Sequence, residues 1–349
     1  MRVRRHISVL YLGQKGGGAK FALQIVQLIE SNSYFQFRNA IIRKDNEIYD
    51  DFNRETVISL FERGPSIQSL IRLAIFYLFP THLLRITKLR KGDICIVPMI
   101  SPLGLYIERI LERKGIILIR FFHDATRHPG DKWPTNRTIK KIVKSSLVLI
   151  TLSKNVAIEL KRFSPTSKIF ACTHPVFHFM ETEHTLELPT PYILFLGRLR
   201  KYKGLQTLIL AFPKLQDPKI HLVIAGDGKF RSALPPKTFL LNRWLTESEI
   251  SELIERADLV AFPYIESSQS GLLPYCISKN KKIVISPSSG LLEQSKGYAN
   301  CTVSIDFSAE GFAKSLRDGL KMDKINTPHR KDDNIQIEKC LIDAVHEFE

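Results

Sequence analysis

Short apolar runs alternate with stretches of helical spacing along most of the chain. Ile7–Leu12 reads as a first strand; a glycine turn follows, then a segment from Lys20 to Glu30 that puts Phe21, Ile25, Leu28 and Ile29 on one helix face. Apolar runs at Phe37–Ile42, Val57–Phe61, Asp93–Pro98, Ile116–Phe122 and Leu147–Leu152 predict further strands. Helical spacing fits Ile67–Tyr77, Leu103–Arg113 and Ile139–Lys144, and Ser153 offers an N-cap to another helix. Residues 181–191 are polar and flanked by proline, which is a linker signal. The rhythm then restarts, with strands at Tyr192–Leu196, His221–Ala225, Thr238–Leu241, Leu259–Pro263 and Lys282–Ser286. Helices are expected at Leu205–Phe212, Glu247–Ala257 and Gly271–Ser278. Strands alternating with helices predict α/β domains, each a parallel, doubly wound sheet covered on both faces. The reading is two Rossmann-like domains, 1–180 and 192–334, joined by 181–191 and facing a central cleft at the carboxyl ends of their strands. Residues 335–349 have helical spacing at Ile337, Cys340, Leu341 and Val345 and are expected to pack back on the first domain.

Composition narrows the class. A length of 349 residues with 44% hydrophobic and 25% charged residues suits two folded domains and excludes collagen, disorder or a disulfide-stapled miniprotein. No stretch reaches the roughly 20 apolar residues of a membrane span. The basic, apolar start runs into Gly13 and Gly16-Gly17-Gly18 rather than a cleavage site, so it reads as a strand and not a signal peptide. Five scattered cysteines with no C-x-x-C suggest reduced thiols and a cytoplasmic protein.

Charge changes the picture more. Residues 1–180 hold 29 Lys and Arg against 13 Asp and Glu, whereas 181–349 balance at 22 each, so the first half carries the whole net charge of +16. That half is expected to face a polyanion, either nucleic acid or an anionic membrane surface, unless the charge is only a solvated face. Ile67–Lys91 is apolar and then basic, through Arg85, Lys88, Arg90 and Lys91, which suits an interfacial helix as well as a core helix with a solvated turn. No basic stripe with interleaved aromatics supports nucleic acid.

The strongest chemical signal is Phe195-Leu-Gly-Arg-Leu-Arg-Lys-Tyr-Lys-Gly-Leu. A buried strand ends at Gly197, Arg198 projects from its carboxyl end, and Lys203-Gly204 opens the next helix. Two cations beside helix-start N–H groups suit a diphosphate. Gly16, Gly17 and Gly18 follow the first strand without matching a dinucleotide fingerprint or a P-loop. His123 and Asp124 end the strand Ile116–Phe122, and His128 extends the loop towards Trp133. His123, Asp124, His128, His174 and His178 lack zinc-like spacing, so no metal and no cofactor are expected.

These motifs, with Ala225-Gly-Asp-Gly228, Ala257-Asp-Leu-Val-Ala-Phe-Pro-Tyr264 and Ile-Glu-Ser-Ser-Gln-Ser-Gly-Leu-Leu-Pro274, resemble the group 1 (family 4) glycosyltransferases of the GT-B fold. The likeness is good over 192–290 and weaker through Gly16-Gly17-Gly18 and Phe122–Asp131. It implies that Arg198 and Lys203 hold a donor diphosphate, that Ser270, Gly271 and Leu272 give it backbone N–H groups, and that Glu266 and His123 hold sugar or acceptor. It also implies transfer from a nucleotide sugar with retention, and the glycine loop near the acceptor or phosphates. One feature departs from the pattern: where many members have a second glutamate eight positions on, this chain has Pro274, or Cys276 if the alignment is anchored on Gly271. The expected activity is a hexosyltransferase-like step in polysaccharide synthesis. Its acceptor is a sugar or is lipid-linked, and its place is the inner face of the cell membrane. A sugar-nucleotide epimerase is the alternative; a dehydrogenase is disfavoured by the missing dinucleotide fingerprint.

Overall fold

A computed structural model of the protein describes residues 5–62, 66–129, 133–180, 185–229, 232–326 and 333–349. They form two compact units. One takes the chain to residue 127, residues 133–173 and residues 334–349; the other takes 174–333 together with the short 128–132 segment.

The first unit is built on a parallel sheet. Its strands are β1 (His6–Tyr11), β2 (Gln36–Arg43), β3 (Val57–Phe61), β4 (Ile94–Val97), β5 (Ile117–Phe122), β6 (Val148–Thr151) and β7 (Lys168–Ala171), in spatial order β3-β2-β1-β4-β5-β6-β7. The crossovers carry α1 (Gly17–Ser31), α2 (Ile67–Leu78), α3 (Pro80–Thr87), α4 (Pro102–Arg113), α5 (Asn136–Ser145) and α6 (Lys154–Phe163). The central strands β4 and β6 are buried along their whole length, as two covered faces require. Ser66, Ser101, Thr135 and Ser153 each cap a helix by accepting a backbone N–H from three residues on.

The second unit repeats the plan. Its parallel strands are β8 (Tyr192–Leu196), β9 (His221–Ala225), β10 (Thr238–Leu241), β11 (Leu259–Phe262), β12 (Ile283–Ile285) and β13 (Cys301–Val303), in the order β10-β9-β8-β11-β12-β13. Around them lie α7 (Leu205–Ala211), α8 (Glu247–Arg256), α9 (Leu273–Ser278), α10 (Ser289–Ser295) and α11 (Ala309–Lys321). Two parallel α/β sheets are therefore present, as the alternating pattern predicts.

The domain boundary differs from expectation. The change of unit comes at Thr173–His174, not at 181–191. Residues 181–184 lie outside those described, but 185 and 186 are held on the second unit. The Glu252 carboxylate on α8 accepts the N–H groups of Thr185 (2.8 Å) and Leu186 (3.0 Å), and Arg256 donates to the Leu186 carbonyl at 2.8 Å. A polar sequence was satisfied by a buried ion pair instead of by water. The last helix, α12 (Asp333–His346), groups with the first unit. It buries Ile337, Leu341, Ala344 and Val345, and Asn32 donates to its Glu338. Arg5 Nε donates to the Phe348 carbonyl at 2.8 Å.

An ion cluster inside the first unit gives no sign of itself in the hydrophobic pattern. Arg120 lies in the middle of β5 with its side chain 3% exposed, and its partner Glu108 on α4 is fully buried. Arg120 donates to Glu108 (2.7 Å), Glu112 (2.8 Å) and the Ser146 hydroxyl (2.9 Å). Burial pushes the Glu108 carboxyl up, and the Arg120 guanidinium pulls it back. We expect Arg120→Met to cost about 3–5 kcal/mol, because it leaves the Glu108 charge buried and alone. Arg120→Met/Glu108→Leu should regain most of that. Urea denaturation checks both, and an unchanged midpoint in the single variant would show that the cluster is not structural.

Candidate active site

In both sheets the order of strands reverses beside the first strand: between β1 and β4 in one unit, and between β8 and β11 in the other. Loops leaving the carboxyl ends at such a switch diverge and leave room for a ligand. The glycine loop 16–18 follows β1, Arg198–Gly204 follows β8, and Glu266–Leu272 follows β11. His123 and Asp124 follow β5, one strand beyond β4.

In the second unit the two switch loops are locked together by backbone. Gly204 has φ +64°, and a Cβ placed on it would stand 1.8 Å from the Pro263 carbonyl oxygen. Next to it, Ile265 donates its N–H to the Tyr202 carbonyl at 2.8 Å. This contact sets Lys203 so that its Nζ lies 3.7 Å from the centre of the Tyr264 ring. A cation over an aromatic face keeps its charge. Arg198 is exposed in the same loop, after Gly197, whose φ is +138°. A Cβ on Gly226 would stand 2.0 Å from the Gly197 oxygen, so the ends of β8 and β9 also meet backbone to backbone.

Glu266 stands beside these groups. Its side chain is 45% exposed and lies 3.6 Å from His128 Nδ1. The His128 ring stacks on Tyr202, with centroids 4.5 Å apart and planes within 9°. His128 thus belongs with the second unit's candidate site. Ser270 also needs correction. Its N–H is taken by Gln294 Oε1 at 2.7 Å, and Gln294 Nε2 donates back to the Ser270 carbonyl at 3.1 Å. The Ser270 amide is therefore not offered to a ligand, whereas the Gly271 and Leu272 amides have no hydrogen-bond partner among the described residues. Helix α9 starts at Leu273, two residues later than the spacing suggests. Pro274 and Cys276 are both buried in it, and burial pushes the Cys276 thiol up to about 12. Neither takes the place of a ligand-facing carboxylate.

In the first unit, Gly18 lets α1 pass close to the β4 loop: a Cβ there would stand 2.7 Å from Met99 Sδ and 2.9 Å from the Tyr11 hydroxyl. The Gly16 N–H donates to the Glu47 carboxylate, which also neutralises the start of α1. That corrects half of the expectation for this loop, since an acidic group on the Gly16 amide disfavours a phosphate there. His123 lies edge-on to Phe21, with centroids 5.0 Å apart, and its Nε2 is 2.9 Å from the Pro98 carbonyl oxygen. A carbonyl only accepts, so Nε2 carries the proton and Nδ1 is the acceptor nitrogen. Burial holds the ring's pKa below the ordinary histidine value, so it is neutral at pH 7. Among the described residues, no three His, Cys, Asp or Glu side chains gather as a metal site.

Sequence reasoning missed Tyr202, Tyr264, Gln294 and Glu47. The two tyrosines were the findable ones, since each sits at a strand-end loop beside a residue already singled out.

Two doubly wound parallel sheets, with candidate residues on the switch loops, have the architecture of GT-B glycosyltransferase structures. Residues 178–335, most of the second unit, match the family described as glycosyl transferases group 1. An uncharacterized glycosyltransferase of Methanocaldococcus jannaschii is 30% identical over 117 residues, which is 31% of this chain and 30% of that protein. The chain thus spans under a third of that relative's length. Three solved structures share the fold. Sucrose-phosphate synthase from Thermosynechococcus elongatus has a TM-score of 0.66 at 14% identity, covering 99% of this chain and 95% of that one. HepE of Anabaena in complex with UDP-glucose has a TM-score of 0.64 at 12% identity, covering 99% and 95%. A putative UDP-N-acetylglucosamine 2-epimerase from Listeria monocytogenes has a TM-score of 0.62 at 11% identity, covering 97% and 91%.

The Gly204 contact yields a matched pair of variants. Gly204→Ala combines left-handed strain, worth about 1–2 kcal/mol, with a clash against backbone. Gly297 has φ +79° and nothing within 4 Å of a built Cβ, so Gly297→Ala bears the strain alone. In urea denaturation Gly204→Ala should be the more destabilised, and equal losses would mean that the approach to Pro263 carries no weight.

Proposed function

We propose that this protein is a glycosyltransferase of the family 4 kind, in the subgroup with Gln269-Ser-Gly-x-x-Pro274 in place of paired glutamates. It moves a hexosyl-type sugar from a nucleotide-sugar donor to a hydroxyl of a polysaccharide or lipid-linked acceptor. The observation that carries this reading is the β8/β11 switch, where Lys203 on the Tyr264 ring and Arg198 supply two cations on one loop, and the loop locked to it leads to the Gly271 and Leu272 amides. The match of this unit to the group 1 domain supports it.

When the bond from the anomeric carbon to the diphosphate breaks, negative charge grows on the leaving oxygen. Arg198 and Lys203 offset it without a metal ion. The acceptor hydroxyl forms the new bond on the same face, and its proton passes to the departing phosphate oxygen. Configuration is then retained with no covalent enzyme intermediate. Glu266 orients donor-sugar hydroxyls, with His128 beside it. Neutral His123 helps to hold sugar or acceptor, and Gly17, exposed at the start of α1, gives an acceptor sugar close access to backbone. HepE was solved with UDP-glucose, which makes uridine diphosphate sugars the first donors to try. The same reading places the protein in the cytoplasm, on the inner face of the membrane, with no nucleic-acid partner.

A screen of sugar nucleotides by thermal shift, followed by product analysis, tests the reaction, since a bound donor raises the melting temperature by mass action. Conversion of the donor sugar without any acceptor would replace the transferase with an epimerase. Arg198→Ala and Lys203→Ala should each lower kcat/KM by about 10- to 150-fold, the equivalent of losing a charged hydrogen bond of about 1.5–3 kcal/mol. Full activity in both would refute the diphosphate assignment. Turnover should also persist in EDTA; loss that only a divalent ion restores would contradict the metal-free reading.

A further inference from the structure

Helix α2 is apolar on two opposite faces, and the fold uses one of them. Ser69 and Phe76 are buried, with Phe76 packed edge-on against Phe61 at 6.3 Å. At 100° per residue, Ile67, Leu70, Ile71, Ala74 and Leu78 project on the other side. Ile67 is 77% exposed, Leu70 63%, Ile71 55%, Leu78 67% and Phe79, at the bend into α3, 61%. Single exposed leucines are ordinary, but a contiguous row along one helix marks an interaction surface. Among the described residues, no single helix is long and apolar enough to cross a membrane, and α2 and α3 together bend by 106°.

The surroundings choose the partner. Arg85, Lys88, Arg90 and Lys91 are exposed on α3 and the turn after it. Arg38, Arg85, Lys88 and Arg90 line a cavity of about 420 Å³ with Leu84 and Leu89. The Asp93 carboxylate offsets part of that charge, at 3.5 Å from Arg38. Beside the apolar row, half-exposed Tyr77 pairs with Tyr106 at 6.1 Å and has the Arg113 guanidinium 5.8 Å from its ring centre. Tyrosine and arginine in that arrangement suit the boundary between headgroups and acyl chains. An apolar row followed by clustered cations is complementary to an anionic bilayer, and not to a neutral protein groove.

We propose that the outward face of α2 is a docking surface for an anionic phospholipid bilayer: Leu70, Ile71, Leu78 and Phe79 enter the acyl boundary, and the cations of α3 and its following turn meet lipid phosphates. This deepens the reading of a lipid-linked acceptor. It is measured without turnover, so its failure leaves the donor assignment standing.

The test is flotation of the full chain with vesicles of phosphatidylcholine and phosphatidylglycerol, against phosphatidylcholine alone. Binding to the anionic vesicles should be strong at low salt and leave a residue at high salt, because only the charged part is screened. Arg85→Ser/Lys88→Ser/Arg90→Ser/Lys91→Ser should weaken low-salt binding by about a hundredfold or more, at about fivefold per cation. Leu70→Ser/Ile71→Ser/Leu78→Ser should abolish the salt-resistant part, whereas Leu210→Ser, an exposed leucine of the second unit, should change nothing. In Phe79→Trp, lipids brominated in their acyl chains should quench fluorescence beyond the wild-type background, which reports entry even if a multiple variant folds poorly. No binding at low salt, or binding without quenching, would overturn the proposal. So would sedimentation showing a dimer that the triple variant dissolves, since a second copy would then cover the face.

Discussion

Where the loop after β8 passes the loop after β11, the chain has no room for a Cβ, and the candidate donor site follows from that one approach. Gly204 in a left-handed conformation fits under the Pro263 carbonyl, and the Ile265 N–H to Tyr202 carbonyl bond closes the pair. Once the two loops are held backbone to backbone, Lys203 rests on the Tyr264 ring with the Tyr202 ring also near, and Glu266 follows two residues after Tyr264. A flexible lysine loses rotamer entropy on binding phosphate; a lysine already lying on a ring has lost part of it beforehand. Preorganisation here comes from the main chain, which is why substituting the side chains should affect chemistry and substituting the glycine should affect folding.

The two units treat charge in opposite ways. In the second, cations and carboxylates nearly balance, and the sheet is apolar throughout β8. The few charges that matter lie on loops, and the buried Glu252 is spent on the backbone of 185–186. The first unit carries most of the excess, and one of its arginines sits inside the fold. Arg120 is tolerated there only because Glu108, Glu112 and Ser146 surround it. Arg85, Lys88, Arg90 and Lys91 are instead exposed, and their clustering on α3 and the following turn calls for an explanation from outside the unit.

Much of the fold was legible because parallel strands buried on both faces leave plain runs such as Ile94–Val97 and Tyr192–Leu196. What escaped was short or thinly apolar. Lys168–Ala171 is a half-exposed edge strand, and Ala309–Lys321 buries Gly311, Ser315 and Gly319 beside Phe312 and Leu316, so its stripe is hard to see. The position of Arg198, Lys203 and Gly204 on a strand-end loop was legible because the buried run Tyr192–Leu196 stops just before them. Ser270 was misread because no local pattern announces that Gln294, 24 residues on, takes its amide. The boundary at 181–191 failed for the same reason: polar sequence does not distinguish a solvated linker from a strap held by a distant glutamate. Ile67–Leu78 was ambiguous in principle, since periodicity cannot separate a core helix from an interfacial one until burial shows that only one face is used.

The position of the missing second glutamate closes the account of the donor side. Pro274 and Cys276 lie inside α9, buried in the second unit, with the Lys281 ammonium near enough to act on the Cys276 thiol. A glutamate at either position, with the helix as it stands, would have to bury a charge or pull α9 outward. Proline at the second residue of the helix instead fixes its first turn, where a missing N–H costs nothing. The start of α9 is thus held rigidly, and the amides it presents at Gly271 and Leu272 point the same way in every molecule. On the proposed reading, grip on the ribose has been given up for a firmer grip on the diphosphate. Selection among nucleotides must then come from the base and the sugar, and not from a carboxylate on the ribose.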